Sequence, residues 1–374
     1  MNDQVVCRFS TPRMVARATR CRAFSLVELL TVMFIISALI AILVPSLNAA
    51  RNSAKKTSTI ATLNALKGGL DLFRNDNERQ FARTNGYPPS FAHPRMLQNG
   101  ADIFDPNSGE YPFVQGNPVV SGAHWLPAML MGHDQGGYIN GKTVTRKNNL
   151  RYEPWRWYDP APQEDGTPIE RAEFYADPGG LKTVKTEDLP GRPNMKLFSN
   201  GPWNSVRQLP VIVDAFGQPI LYYVANANGR TSNMLEDERD KDNKYTGGQQ
   251  KDGPPFYFHQ DNHQFTGHET ISGWDFDGPH KITRAGDNYT AAQLTDVSDA
   301  EAQESFARFI VDRTLYRSML NQLGGDSGAP GAGQDLDKAQ LRPVNADSYL
   351  LISAGVDGRY GTNDDITNFP LAVE

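Results

Sequence analysis

The chain has 374 residues and a formal net charge of -6. Residues 1–23 carry five arginines and one aspartate, a local charge of +4, so the remaining residues carry -10. An acidic body of this kind argues against a nucleic-acid partner. Both cysteines, Cys7 and Cys21, lie in the basic stretch, so the rest of the chain cannot form a disulfide framework.

Residues 24–44 read FSLVELLTVMFIISALIAILV, an apolar run in which Glu28 is the only charged residue. The run is long enough to cross a hydrocarbon core as one helix. Because the arginines precede it, the positive-inside rule places residues 1–23 in the cytoplasm and the body on the other side. We therefore expect a single-pass protein of the cytoplasmic (inner) membrane with a periplasmic or extracytoplasmic body.

Two simpler interpretations of this segment stay open. A cleaved secretory signal also begins with a basic stretch and an apolar run, but this run is longer than usual, and Asn48–Ala50 lacks the small-x-small pattern of a cleavage site. A plain membrane anchor explains everything except Glu28, because an intramembrane carboxylate costs a few kcal/mol and usually marks a functional site with a partner.

Residues 23–30, AFSLVELL, resemble the prepilin peptidase signature of type IV pilin-like proteins, in which a basic leader is cut just before a Phe. The resemblance implies cleavage between Ala23 and Phe24 by a prepilin peptidase and methylation of the new amine of Phe24. It also implies that Glu28, fifth from Phe24, neutralises the amine of a neighbouring subunit during assembly. Ala23 departs from the Gly that is usual before the cut, so we expect slower cleavage.

The helical pattern continues over residues 45–84 as an amphipathic half. Leu63, Leu66, Leu70 and Phe73 share one face, which predicts packing against the body. Pro45 is compatible either with a kink or with a helix end. The turn-forming residues 85–89, Asn-Gly-Tyr-Pro-Pro, are predicted to end the helix.

Residues 85–374 are predicted to form the extracytoplasmic body, which is rich in loops because the chain has 33 Gly and 25 Pro. We expect ordered loops and short strands over residues 87–210. Residues 211–213 and 220–224 have the composition of a hairpin, and the turn between them resembles that of the major pseudopilin. A capping pattern at Ser298–Glu301 and apolar helical spacing predict a further helix that ends at Gly324–Gly325.

The last predicted element is an acidic loop over residues 354–366, AGVDGRYGTNDDI, after the strand-like residues 348–353. It resembles the calcium-binding C-terminal loop of the major pseudopilin, and its hard oxygen donors and glycines suit calcium. The resemblance implies calcium as cofactor, with side-chain ligands Asp357, Asn363, Asp364 and Asp365. The spacing differs from an EF-hand, and turns of this composition often bind no metal.

The predicted fold is α+β and pilin-like, with a long N-terminal helix packed on a small antiparallel sheet with large loop insertions. The resemblance implies a structural subunit of a type II secretion pseudopilus or related filament. Its expected partners are other pseudopilins, the prepilin peptidase, the inner-membrane secretion platform and the membrane itself.

We expect no enzymatic activity, because the sequence has no nucleophile elbow, phosphate loop or HExxH motif. Two alternatives remain at this point. One is a type IV pilin for adhesion or DNA uptake. The other is a membrane-tethered enzyme or binding module, for example one that binds carbohydrate through Trp125, Trp155 and Trp157.

Overall fold

The computed structural model describes part of the chain, which forms two compact units, Met1–Asn52 and Ser53–Glu374. The described residues are 25–78, 81–90, 121–132, 135, 137–139, 171–172, 174–189, 209–227, 229, 256–257, 259–266, 280, 282, 294, 305–322 and 342–371.

The longest element is helix α1, Leu26–Asn77, which runs through both units. In the first unit every described side chain is exposed, although most of the segment is apolar. In the described part of the chain, α1 is the one helix that is long and apolar enough to cross a membrane, by length and composition. Pro45 lies inside α1, so its interpretation as a helix end is wrong.

The second half of α1 packs into the second unit through one face. Leu63, Leu66, Leu70 and Phe73 are all buried in the core, which confirms the predicted stripe. The helix ends at Asn77, earlier than the turn residues 85–89 indicated. The Asn77 amide is buried and donates to the carbonyl of Phe73 at 2.9 Å, which competes with continuation of the helix.

A second helix, α2, spans Gly122–Met131 and is buried along its whole length. This corrects the expectation of loops and short strands for residues 87–210. Because α2 lies in the core, all of its positions favour apolar or small residues, and no amphipathic period reveals it. Strands β1, Tyr138–Ile139, and β2, Arg171–Ala172, pair antiparallel after it.

Two further antiparallel sheets complete the strands of the described chain. Strand β3, Thr183–Lys185, pairs with β4, Pro210–Ile212. Strand β5, Leu221–Val224, pairs with β6, Tyr349–Ser353, which pairs with β7, Ile366–Thr367.

The predicted hairpin is present only at its turn. One bridge, Val213 to Pro219, and a hydrogen bond from Ile220 N to Ile212 O join the two arms. The ladders of β4 and β5 are made with β3 and β6 instead. Since β3 and β6 lie far from the turn in sequence, local composition did not reveal them.

The outer edge of β5 is closed by side chains. The amide N–H of Val224 donates to Ser90 Oγ at 3.1 Å, and the Asn262 amide donates to the Tyr222 carbonyl at 2.8 Å. Asn262 ends a 3₁₀ turn, His259–Asn262, that leads into the short helix α3, His263–Thr266. The edge is therefore shielded from further strand pairing.

The helix predicted before Gly324 is divided into α4, Phe306–Ile310, and α5, Arg313–Gln322. Ser305 caps α4 by accepting from Arg308 N at 3.2 Å, and the predicted cap at Ser298 lies outside the described residues. The break occurs where Val311 bridges to Pro343. A long N-terminal helix and small antiparallel sheets make this an α+β pilin-like fold, as predicted.

Candidate assembly site and C-terminal acidic loop

The start of α1 is organised by Ser25 and Glu28. The Ser25 amide N–H donates to Glu28 Oε2 at 2.9 Å, and Ser25 Oγ accepts from the amide of Val27 at 3.3 Å. The bond from Ser25 N to the Glu28 side chain is one half of a capping box, while the Ser25 hydroxyl caps the second helical amide instead of the third. Sequence reasoning missed it, although the Ser-x-x-Glu spacing before an apolar run is its usual signal.

The Glu28 carboxylate lies on an open apolar surface. Glu28 itself is exposed, and the neighbouring Leu29 and Leu30 are 61% and 62% exposed. In the described part of the chain, the carboxylate is held by a backbone N–H and by no basic side chain within ion-pair distance. The predicted processing residues, Ala23 and Phe24, lie outside the described residues.

Residues 18–44 match the family described as the Prokaryotic N-terminal methylation motif. This is a type IV pilin-like signal. It spans Ala23, Phe24 and Glu28, and it implies processing by a prepilin peptidase and assembly into filaments with a membrane platform. The apolar part of α1 together with this signal fits a single-pass membrane anchor.

No curated protein and no solved structure matches the chain. The pilin-like signal covers only the N-terminal segment, so the role of the body has to be argued from its own geometry.

The acidic loop connects β6 to β7 and turns on glycines with positive φ. Gly355, Gly358 and Gly361 have φ of 63°, 72° and 87°. At Gly355 a side chain is also excluded by space, because a Cβ would overlap the carbonyl oxygen of Asp364. A tight path of this kind turns the loop carboxylates back onto its own backbone.

Asp364 closes the loop across its two ends. Its Oδ2 accepts from the amides of Val356 at 2.6 Å and Asp357 at 3.0 Å, and its Oδ1 accepts from Thr362 Oγ1 at 2.7 Å. Partial burial raises the pKa of the Asp364 carboxyl, but these hydrogen bonds outweigh burial and lower it.

Asp365 points the other way, into the body, and is 5% exposed. Its Oδ2 accepts from Gly361 N at 2.7 Å, and Thr362 Oγ1 lies 3.4 Å from its Oδ1. Burial, reinforced by the charges of Asp364 and Asp357, raises the pKa of the Asp365 carboxyl to about 8.

The other two predicted ligands are exposed. Asp357 Oδ1 accepts from Arg359 N at 2.8 Å, and Asn363 lies at the surface of the loop. Among the described residues, no three His, Cys, Asp or Glu side chains are placed to hold a metal ion. As placed, the loop is closed by its own N–H and O–H donors, so calcium binding stays a prediction.

The turn between β4 and β5 is joined through Asp214 to Ser353, the last residue of β6 before the acidic loop. This buried carboxylate accepts from the amides of Phe216 at 2.8 Å and Gln218 at 2.9 Å, and from Ser353 Oγ at 2.6 Å. Burial raises the pKa of Asp214, against the effect of these bonds. The Tyr360 hydroxyl adds a 2.6 Å bond to the Pro219 carbonyl.

The same turn rests on α1. The amide of Ala215 donates to Thr59 Oγ1 at 3.2 Å, and the Lys55 ammonium lies 5.3 Å from the centre of the Phe216 ring. The sequence predicted a turn at Ala215 and Phe216. Nothing in it indicated that α1, this turn and the acidic loop form one contact network.

Trp125 cannot serve in the alternative function of carbohydrate binding. Trp125 belongs to α2 and has no exposed surface, so it cannot stack on a sugar from solution. Trp155 and Trp157 lie outside the described residues.

Proposed function

We propose that this chain is a pseudopilin, a structural subunit of a type II secretion pseudopilus. The coarser conclusion, a type IV pilin-like filament subunit, follows from the N-terminal signal. The narrower proposal is supported by the resemblance of the acidic loop to that of the major pseudopilin. It is also supported by a processed chain without cysteines, because a disulfide-closed C-terminal loop is typical of many adhesive pilins.

The observation that supports a role in filament assembly is the position of Glu28 on an exposed apolar helix. In the dispersed subunit its carboxylate is satisfied by the amide of Ser25. In a filament, a docked neighbour would present the cationic amine of Phe24 to this carboxylate. A charge pair inside an apolar layer is favourable only at the correct docking register, since a carboxylate without its partner is costly there.

The test separates the charge of Glu28 from its capping role. Glu28→Gln keeps an oxygen that accepts from Ser25 N but has no charge, whereas Glu28→Ala loses both. We expect both variants to be processed normally before Phe24, by intact mass, and to form no filaments in electron micrographs. Filaments of Glu28→Gln at the wild-type yield would contradict the charge-pair mechanism.

A second experiment distinguishes a secretion pseudopilus from an adhesive or DNA-uptake pilus. Deleting the gene from its host should leave exported proteins trapped in the periplasm while adhesion and transformation are unchanged. The opposite pattern would identify a surface pilus. Normal secretion, adhesion and transformation, with loss of a binding activity, would support the tethered-module alternative.

Calcium is the cofactor that the resemblance implies for Asp357, Asn363, Asp364 and Asp365. When bound, the ion would neutralise the carboxylates and staple the loop. We expect Ca²⁺, and not Mg²⁺, to raise the melting temperature of the detergent-dispersed subunit, and Asp357→Asn to reduce that effect. Identical melting in Ca²⁺ and in chelator would mean that the hydrogen bonds of Asp364 and Asp365 close the loop without metal.

A further inference from the structure

The polar part of α1 that follows the apolar run carries positive charge without acidic neighbours. After Glu28 no acidic residue occurs before Asp71. The first basic residues in this interval are Arg51, Lys55 and Lys56, which we call the basic segment. All three are exposed. Three cations therefore lie close together on a helix surface, with no carboxylate near them in sequence to compensate their charge.

The basic segment contrasts with the charge of the rest of the chain. Residues 24–70 contain four basic residues and one acidic residue, a net charge of +3. Because residues 24–374 carry -10, residues 71–374 carry -13. An anionic surface therefore attracts the basic segment and repels the body.

The three side chains are also able to take an anionic ligand. In the part of the chain that the structure describes, no carboxylate lies within ion-pair distance of them. Arg51 and Lys55 are four residues apart, so they lie on the same side of the helix. The Lys55 ammonium lies 5.3 Å from the centre of the Phe216 ring. An ammonium has three N–H donors, and the ring covers only one side of it.

The basic segment lies within reach of lipid headgroups. The apolar run ends at Val44, and α1 continues without interruption to Asn77. At about 1.5 Å per residue, Arg51 lies about 10 Å and Lys56 about 18 Å further along the helix. Helical side chains tilt toward the N-terminus, here the membrane end, and long basic side chains extend toward polar headgroups. The polar layer of a leaflet is about 5–8 Å deep, and its field extends about 8 Å further at physiological salt.

Basic residues are unusual at this end of a membrane span. The positive-inside rule favours arginine and lysine on the cytoplasmic side. With residues 1–23 in the cytoplasm, as we expect, the basic segment lies on the opposite side. Uncharged polar residues also solvate a helix, and the chain has them at neighbouring positions: Asn52, Ser53, Thr57 and Ser58. The three cations therefore call for an interaction that offsets their cost for topology.

We infer that the basic segment binds the phosphate groups of anionic phospholipids in the leaflet that faces the body. Guanidinium and ammonium groups donate to phosphate oxygens and neutralise their charge. Such binding fixes the depth of the helix in the membrane, while the acidic body is repelled from the same surface. The inference requires the membrane anchor and goes beyond the proposed pseudopilin function.

The test measures which lipids surround the end of the apolar run. It uses the full chain with Cys7→Ser, Cys21→Ser and Asn48→Cys, which leave one thiol at an exposed position. A fluorophore on this thiol is quenched by lipids that carry a nitroxide near the headgroup end of an acyl chain. The vesicles contain phosphatidylcholine with phosphatidylglycerol as the minor lipid. At equal amounts of nitroxide, carried by one lipid or the other, the ratio of quenching gives the preference for the anionic lipid.

At low salt the anionic lipid should be preferred at least fivefold, because each basic residue near an anionic surface adds roughly fivefold to the affinity. High salt should abolish the preference. Replacing the whole basic segment by glutamine should make quenching by the two lipids equal. Arg51→Lys combined with Lys55→Arg and Lys56→Arg should retain the preference, since the charge is conserved.

A matched control removes the same charge elsewhere. Its three replacements are at exposed basic positions: Lys67→Gln, Lys182→Gln and Arg317→Gln. This control should keep the wild-type preference. All variants should melt at the wild-type temperature, because the replaced side chains are exposed.

Equal quenching by the two lipids in the wild type would overturn the inference, and loss of filaments by the glutamine variant would then assign the basic segment to an acidic protein partner. A preference that survives glutamine replacement would overturn it too, since another part of the chain would select the lipid. Filament formation is scored separately. A chain that selects anionic lipid but forms no filaments contradicts only the proposed function.

Discussion

Gly68 and Gly69 are adjacent in α1 but face opposite environments, so their replacement by alanine tests how this helix packs. At Gly68 a methyl group enters open space. Alanine is favoured over glycine in a helix interior by about 0.8–1.0 kcal/mol, and this gain should be realised in full. For a unit of this size, that corresponds to a rise in melting temperature of about 2 °C.

At Gly69 the same methyl group meets Tyr175 O at 2.9 Å and Ala176 Cβ at 3.2 Å. The contacted segment is pinned, because the amides of Tyr175 and Ala176 both donate to the Leu130 carbonyl, at 3.0 and 3.2 Å. Overpacking of this kind costs about 1–3 kcal/mol. Offset by the helix preference, it should leave Gly69→Ala roughly 0–2 kcal/mol less stable than wild type.

The assay is thermal unfolding of the detergent-dispersed full chain, followed by tryptophan fluorescence, with wild type, Gly68→Ala and Gly69→Ala side by side. The expected order is Gly68→Ala above wild type and Gly69→Ala below it. If Gly69→Ala were as stable as Gly68→Ala, the helix would not lie against residues 175–176, and the packing argument would fail.

Three further perturbations test the body. Burial lowers the pKa of His124 to about 3. Between that pH and about 6.5 the folded state therefore binds fewer protons than the unfolded state, so the free energy of unfolding should fall as the pH drops through this range. Thermal melts of His124→Gln should show a shallower fall. Gly355→Ala should destabilise the chain by at least about 1–3 kcal/mol, because of its φ of 63° and because the carbonyl oxygen of Asp364 lies where the Cβ would go. Gly180→Ala, where a Cβ makes only ordinary contacts with Asp177, at 3.7 Å and 3.9 Å, and φ is not positive, should change melting little. Tyr360→Phe should cost about 1–3 kcal/mol by leaving the buried Pro219 carbonyl without its donor, and an unchanged melting temperature would contradict that bond.

Part of this protein is readable from its sequence because the signals are local. The membrane segment needs only length and composition, Glu28 needs only its place after Phe24, and the stripe from Leu63 to Phe73 needs only helical periodicity. Each of these features depends on residues within a few turns of one another. The strand residues 211–213 and 220–224 were recognisable for the same reason.

Tertiary structure decided the rest. Helix α2 is buried on every side and contains Pro127, so it has no polar face to mark its period. The strands next to the turn pair with β3 and β6 because distant segments bring their backbone groups together, and the turn itself cannot specify them. In the sequence Asp214 has only the features of an ordinary turn aspartate. Its hydrogen bond with Ser353 exists because the fold brings two distant segments together. The sequence by itself determined the membrane anchor, the processing signal and the core face of α1, whereas burial and non-local pairing determined how the second unit packs on that face.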